Sequence, residues 1–433
     1  MVFENSSLKK ESILNAMNII LKNETLCHRL YDYYTLKNLD PIDYSDYIDN
    51  YKRAQLMDEQ VTNSGKITNL TLYLDYGRTT KIVETTVLGS GAFGFVLKDN
   101  TANNVYKIVK VKKDVNSNII NHHIQNIMNE MILSNILNLV KYTAHDGKKV
   151  PASPVCTNFY LVDQNETSYQ EDNSLLFIIE CSELSQLADR MLYDATKEFT
   201  DIFMDFLHLV KGIHDAHLYY NHCDVKLNNI MYDTSDHLRF IDFGYSSLYF
   251  QTKEGERFMI MSQECSWNDQ TSYMYEKDVI QLLLSTFGVY YDDALLNKPS
   301  KNLMNNLLYK LTLFKSRRKL NDRFYTSSGH VPDIFEFSYN AKKKIRNNLK
   351  DKKDDKHKPV LRWANPDYLL EILMSDKVKN PTIEQQIHRM IKNQLLDTDL
   401  TKIVQPPKKT ASKSKTSHGG KMARRTRRNR KQL

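Results

Sequence analysis

Asn221-His222-Cys223-Asp224-Val225-Lys226-Leu227-Asn228-Asn229, followed a short way on by Ile241-Asp242-Phe243-Gly244, is the stretch whose reading decides the fold. Asp224 stands two residues before a lysine and five before an asparagine, and a second acid, Asp242, follows it by 18 residues. One acid, one anion-binding ammonium and two oxygen donors for a metal are the set that phosphoryl transfer needs. The spacing serves that chemistry. A short loop lets Asp224 face an acceptor while Asn229 turns back, and a hairpin then returns Asp242 opposite Asn229.

These two motifs resemble those of the protein kinase family, whose catalytic loop reads His-Arg-Asp-Leu-Lys-x-x-Asn and whose metal-binding turn reads Asp-Phe-Gly. The resemblance implies that Asp224 is the catalytic base, that Asn229 and Asp242 hold Mg²⁺, and that Lys226 contacts the transferring phosphate of ATP. It also implies an α+β, bilobal fold with a small β-rich N-lobe and a larger helical C-lobe.

Upstream, Leu88-Gly89-Ser90-Gly91-Ala92-Phe93-Gly94-Phe95-Val96 is a Gly-x-Gly-x-x-Gly-x-Val loop between two strands. Glycines let backbone amides approach phosphates without a Cβ in the way. A strand follows the glycines, where a dinucleotide-binding fold would place a helix. The third strand, Val105–Val111, offers two lysines for the phosphates, Lys107 and Lys110. Alternation favours Lys107, because it sets Val105 and Lys107 on one face, with Val105 and Val96 covering adenine. Its carboxylate partner on the following helix is Glu130, the only acid between Asp114 and Asp146. By the resemblance, Ile178-Ile179-Glu180-Cys181-Ser182 is the hinge, with Ile179 as gatekeeper and the backbones of Glu180 and Ser182 meeting the adenine edge. Met231 would lie under the base. Asp278, 36 residues after Asp242, would brace the catalytic loop.

The chain departs from the family pattern at three places. Ser134 stands four residues after Glu130, where an apolar residue usually stacks toward the position of Phe243. Cys223 replaces the arginine that binds a phosphate on the activation segment in many members, so activity is expected not to depend on phosphorylation between Tyr245 and Met261. The Ala-Pro-Glu anchor is missing, and Ser262-Gln263-Glu264 is its nearest candidate.

A length of 433 residues and a hydrophobic content of 41% suffice for two or three packed units. The five cysteines include no Cys-x-x-Cys pair, which argues against a disulfide framework or a zinc site and for a reducing, intracellular compartment. No signal peptide or membrane span is read, and the chain is expected to be soluble. The formal charge of +8 is uneven, because residues 405–433 hold six Lys and five Arg with no acid. Residues 1–80 read as a helical extension, with amphipathic stretches around Leu8–Leu21 and Thr25–Leu39. Residues 81–404 read as the kinase-like domain, its N-lobe about 81–180 and its C-lobe about 181–404, with a polar loop over 143–173 and a lysine-rich insertion over 341–359. Helices are expected over Ile119–Leu139, Phe199–His214, Lys277–Tyr290, Asn302–Phe314, Pro366–Met374 and Pro381–Leu396. Residues 405–433 read as a disordered basic tail.

The reading that follows is a serine/threonine protein kinase using MgATP, since Lys226 favours Ser/Thr over Tyr acceptors. Two other readings stay open: a small-molecule phosphotransferase, and a kinase-fold scaffold whose basic tail binds nucleic acid or another acidic partner or serves as a nuclear localisation signal. Gly419-Gly420-Lys421 and the arginine cluster after it resemble the tails of large DNA virus proteins. That resemblance implies a viral source, with the host cytoplasm, nucleus or virion as location.

Overall fold

Two amphipathic helices open the described chain, α1 (Lys10–Leu21) and α2 (Glu24–Tyr34). Asn23 caps α2, its side chain accepting the Leu26 N–H at 3.0 Å and satisfying one orphan donor of the first turn. Ile13, Met17 and Ile20 of α1 and Leu30, Tyr31 and Tyr34 of α2 are buried in the larger of two hydrophobic cores. This computed structural model describes residues 4–37, 42, 44, 52–61, 67–75, 80–91, 94–112, 117–162, 174–261, 277–290, 296–305, 366, 367, 369 and 370.

Strands follow: β1 (Lys52–Val61), β2 (Ile67–Asp75), β3 (Thr80–Gly91), β4 (Gly94–Asp99) and β5 (Asn104–Lys112). Next come α3 (Ser117–Leu139), β6 (Lys141–Thr143), β7 (Lys149–Pro151), β8 (Cys156–Val162), β9 (Ser174–Ser182) and β10 (Gln186–Leu187). The remainder is α4 (Ala188–Tyr193), α5 (Phe199–Asp215), β11 (Tyr219–Asn221), β12 (Ile230–Tyr232), β13 (Leu238–Phe240), β14 (Ser247–Gln251), β15 (Arg257–Ile260), α6 (Lys277–Tyr290) and α7 (Lys298–Asn305).

Seven strands close a barrel in the order β1-β2-β3-β4-β5-β9-β8. Parallel pairing of Lys52–Ala54 with Tyr160–Val162 makes the closure. Period-2 alternation fills the inside, where Leu56, Leu72, Leu97, Tyr106 and Ile178 meet. The expectation of a helical extension through residue 80 therefore fails from Lys52 onward, and a closed barrel replaces the open twisted sheet typical of a kinase N-lobe. Leu70, Leu72 and Leu74 alternate within β2, but the polar residues between and around them hide the strand until the barrel buries one face. The polar loop expected over 143–173 also holds β7 and β8.

The outer face of β5 and β9 turns toward α3, and Val109, Phe177 and Ile179 join the larger core there. That core continues through α5, α6 and the short hairpins around residues 219–260. Among the described residues no helix is long and apolar enough to cross a membrane. The glycine-loop tip Ala92-Phe93, the Ser262-Gln263-Glu264 anchor, residues 306–314, the 341–359 insertion, most of Pro366–Met374, the Pro381–Leu396 helix and the 405–433 tail lie outside the described residues.

Candidate active site

Strand register sets the first part of the site. Val96 of β4 lies opposite Lys107 of β5, which lies opposite Ile179 of β9, so the three share the outer face of the barrel. Val105 lies opposite Cys181 on the same face. Lys110 has the parity of Tyr106 and Ile108, which point into the barrel.

Of the two candidate lysines, Lys107 meets the acids. Its Nζ donates to Glu130 Oε1 at 2.6 Å and to Asp242 Oδ1 at 2.9 Å. Burial works against the ammonium, but the charges of Glu130 and Asp242 outweigh it and hold the Lys107 pKa above the ordinary lysine value. Burial lifts the Glu130 carboxyl above its usual range despite Lys107. Burial would raise Asp242 too, but Lys107, with help from His222 and Lys226, keeps it below the usual carboxylate value.

The loop after β11 supplies the second part. Asp224 Oδ2 accepts from Lys226 Nζ at 2.9 Å and from Asn229 Nδ2 at 2.8 Å. Asn229 Nδ2 also donates to the Asp224 carbonyl at 2.8 Å, so both amide protons are committed and the Oδ1 oxygen is left to accept. Cys223 and Asp242 both adopt left-handed backbone, at φ 65° and 63°. Such conformations in non-glycine residues persist where surrounding contacts enforce them.

Helix α6 provides that enforcement around Cys223. Asp278 Oδ2 accepts the His222 N–H at 2.8 Å and Oδ1 accepts the Cys223 N–H at 3.2 Å. One turn on, Gln281 donates to the Cys223 carbonyl at 2.9 Å. Asp278 is fully enclosed, and burial raises its pKa even though the two N–H groups and the nearby charges of His222 and Lys277 oppose the shift.

The glycine loop divides in an unexpected way. β3 and β4 pair from Thr85–Asp99 to Gly91–Gly94, with a bulge between Val87 and Gly89 that leaves Leu88 exposed. Gly94 has φ 145°, and a Cβ there would sit 1.7 Å from the Ile108 carbonyl oxygen. The third glycine is thus demanded by strand β5, whereas a Cβ at Gly89 would meet open space. Ser90 and Gly91 end β3, and the tip beyond them is outside the described residues.

The hinge differs from expectation at Ser182. Ile179 is buried in the larger core. The Glu180 side chain is buried too, accepting from Asn104 Nδ2 at 2.9 Å, Asn158 Nδ2 at 2.7 Å and Tyr160 Oη at 2.8 Å. Ser182 N–H donates to the Val155 carbonyl at 2.9 Å, so it is not free to meet an adenine edge. The cause is that the chain leading into β8 runs alongside β9 to its last residue. Met231 sits in β12, paired with Leu187 and Arg239.

Ser134 is buried and bonds the Pro154 carbonyl at 2.9 Å, which turns that part of α3 toward the 152–154 segment. Phe243 packs instead against the His222 ring, at a centroid distance of 5.8 Å. Cys27, Cys156 and Cys181 are free, and Cys223 is disulfide-bonded.

Asn229 Oδ1 and the anionic Asp242 carboxylate are hard oxygen donors of the kind that fit Mg²⁺, which takes few protein ligands and keeps water and phosphate oxygens. Comparison with known families matches residues 82–268 to the protein kinase domain. Residues 82–268, less than half of the chain, are thus similar to a protein kinase domain. α1, α2, β1 and β2 all lie before it. No curated protein gave a significant match.

Proposed function

We propose that the chain is a protein kinase that transfers the γ-phosphate of MgATP to serine and threonine hydroxyls. The observation that carries the reading is the double pairing of Lys107 with Glu130 and Asp242 beside the loop of Asp224, Lys226 and Asn229. In this reading Lys107 holds the α- and β-phosphates and Glu130 keeps its ammonium aimed. Asp224 orients the acceptor hydroxyl and takes its proton, and Lys226 neutralises charge on the transferring group. Asn229 and Asp242 hold Mg²⁺, which when bound supplies positive charge beside the phosphates. The glycine loop and the Val96, Val105, Ile179 and Met231 side chains enclose the nucleotide. Positioning and charge neutralisation supply the rate, as in other phosphoryl transfers.

Lys226 supports Ser/Thr acceptors, and the loss of the arginine at position 223 supports activity without a phosphorylated loop. The local charge of +11 in residues 405–433 supports an acidic partner such as nucleic acid. That charge, with the composition of the chain, supports a large DNA virus as source. The test of the catalytic reading is Asp224→Asn against wild type, with γ-labelled ATP and a generic basic protein. Wild type should label serine and threonine and the variant should fall by about 10²–10⁴; equal incorporation would end the assignment.

A further inference from the structure

The segment before the kinase domain touches both halves of the machinery described above. On one side it holds α3. Tyr34 Oη donates to Asn129 Oδ1 at 2.6 Å and accepts from Gln125 Nε2 at 2.8 Å, and Asn129 is the residue next to Glu130. Less than two turns further on, Asn135 Nδ2 donates to the Ala16 carbonyl of α1 at 3.0 Å.

On the other side it holds the hairpin that follows Asp242-Phe243-Gly244. The Phe258 ring of β15 packs between those of Tyr34 and Tyr31, with centroids 5.4 Å and 5.9 Å away. Tyr31 Oη donates to Glu256, and Lys37 forms an ion pair with the same carboxylate. Backbone bonds extend the seam, from Lys253 N–H to the Leu8 carbonyl at 2.8 Å and from Ser6 N–H to the Gln251 carbonyl at 2.9 Å. The hairpin in turn pairs with β11, the strand that delivers the Asp224 loop.

Tyr34 is thus a single side chain in contact with the helix of Glu130 and with the segment after Asp242. We propose that residues 4–37 form a built-in clamp in which Tyr34 is a positioning residue, setting Glu130 against Lys107 and fixing the 247–260 hairpin. It does by packing what a phosphate on the activation segment does where an arginine precedes the catalytic aspartate. Position 223 is a cysteine and lacks that arginine, and the clamp takes over its role. The inference rests on the kinase reading for its activity readout, but not for its structural one.

The experiment uses the full chain as wild type, Tyr34→Phe, Glu130→Gln and the double variant. Tyr34→Phe keeps the ring on Phe258 and removes only the hydroxyl. It should fold with an unfolding midpoint close to wild type, and raise KM for MgATP or lower kcat by about tenfold in all, the worth of one or two hydrogen bonds. Because Tyr34 acts through Glu130, the double variant should be no worse than Glu130→Gln alone. Losses that multiply, or a Tyr34→Phe enzyme within twofold of wild type, would overturn the clamp. Amide exchange over residues 124–133 is read on the same proteins without substrate. It should speed up in Tyr34→Phe, and unchanged exchange refutes the clamp even if wild type transfers no phosphate. An inactive wild type with faster exchange in Tyr34→Phe would instead refute the kinase reading and keep the clamp.

Discussion

Lys107 Nζ lies 2.6 Å from Glu130 Oε1, an ion pair that joins the outer face of the barrel to α3, and its second bond reaches Asp242. A cation held by two acids from two other elements is preorganised for an anionic ligand. Lys107→Met should lower kcat/KM for MgATP by about 10²–10³, the loss typical of one preorganised charge. Lys110→Met, on the opposite face of β5, should stay within about threefold of wild type. Steady-state kinetics on both variants check this, and equal losses would mean that strand register does not select the phosphate lysine.

Asp278 holds the left-handed turn at Cys223 through two backbone N–H groups. Asp278→Ala leaves both donors buried without an acceptor, at a cost of about 1–3 kcal/mol each. The expected outcome is a clear drop in urea midpoint together with a fall in kcat, because the Asp224 loop loses its brace. A variant with wild-type stability would show that other contacts fix the loop.

Gly94 and Gly89 belong to one motif but answer to different neighbours. Gly94→Ala drives a Cβ into the Ile108 carbonyl and needs a left-handed backbone besides, so it should destabilise by about 2 kcal/mol or more. Gly89→Ala meets open space and should leave stability nearly unchanged, with its effect confined to KM for MgATP. Paired denaturation and kinetic curves separate the two.

Much of this site is legible in the sequence, for a physical reason. Asp224, Lys226 and Asn229 lie within one loop, so chemistry fixes their spacing, and Lys107 is selected by alternation over a few residues. What stays hidden depends on distant partners. The Leu70, Leu72 and Leu74 pattern means little until β1 meets β8 and closes the barrel. Ser182 gives no sign that Val155 takes its N–H. Tyr34 looks like an ordinary apolar-face residue of α2, since Asn129 is 95 positions away.

The tyrosines of α2 give the chain an alkaline limit with a defined sign. Burial raises the Tyr34 pKa well above the usual phenol value, with Gln125 opposing and Tyr33 adding slightly. For Tyr31 burial is again the main cause, and the carboxylates of Glu256 and Glu254 add to it. Both phenols are therefore neutral in the fold at a pH where the unfolded chain ionises them. Below a pH of about 10, the ordinary tyrosine value, their contribution is fully present. Above it the unfolded state sheds protons that the native state keeps, so stability falls as pH rises toward the elevated native values. Wild type should lose its urea midpoint more steeply than Tyr34→Phe beyond about pH 10. The variant has no hydroxyl to ionise at that position, so one term of the slope is gone. Parallel pH curves for the two proteins would mean that the Tyr34 phenol ionises as readily in the fold as out of it.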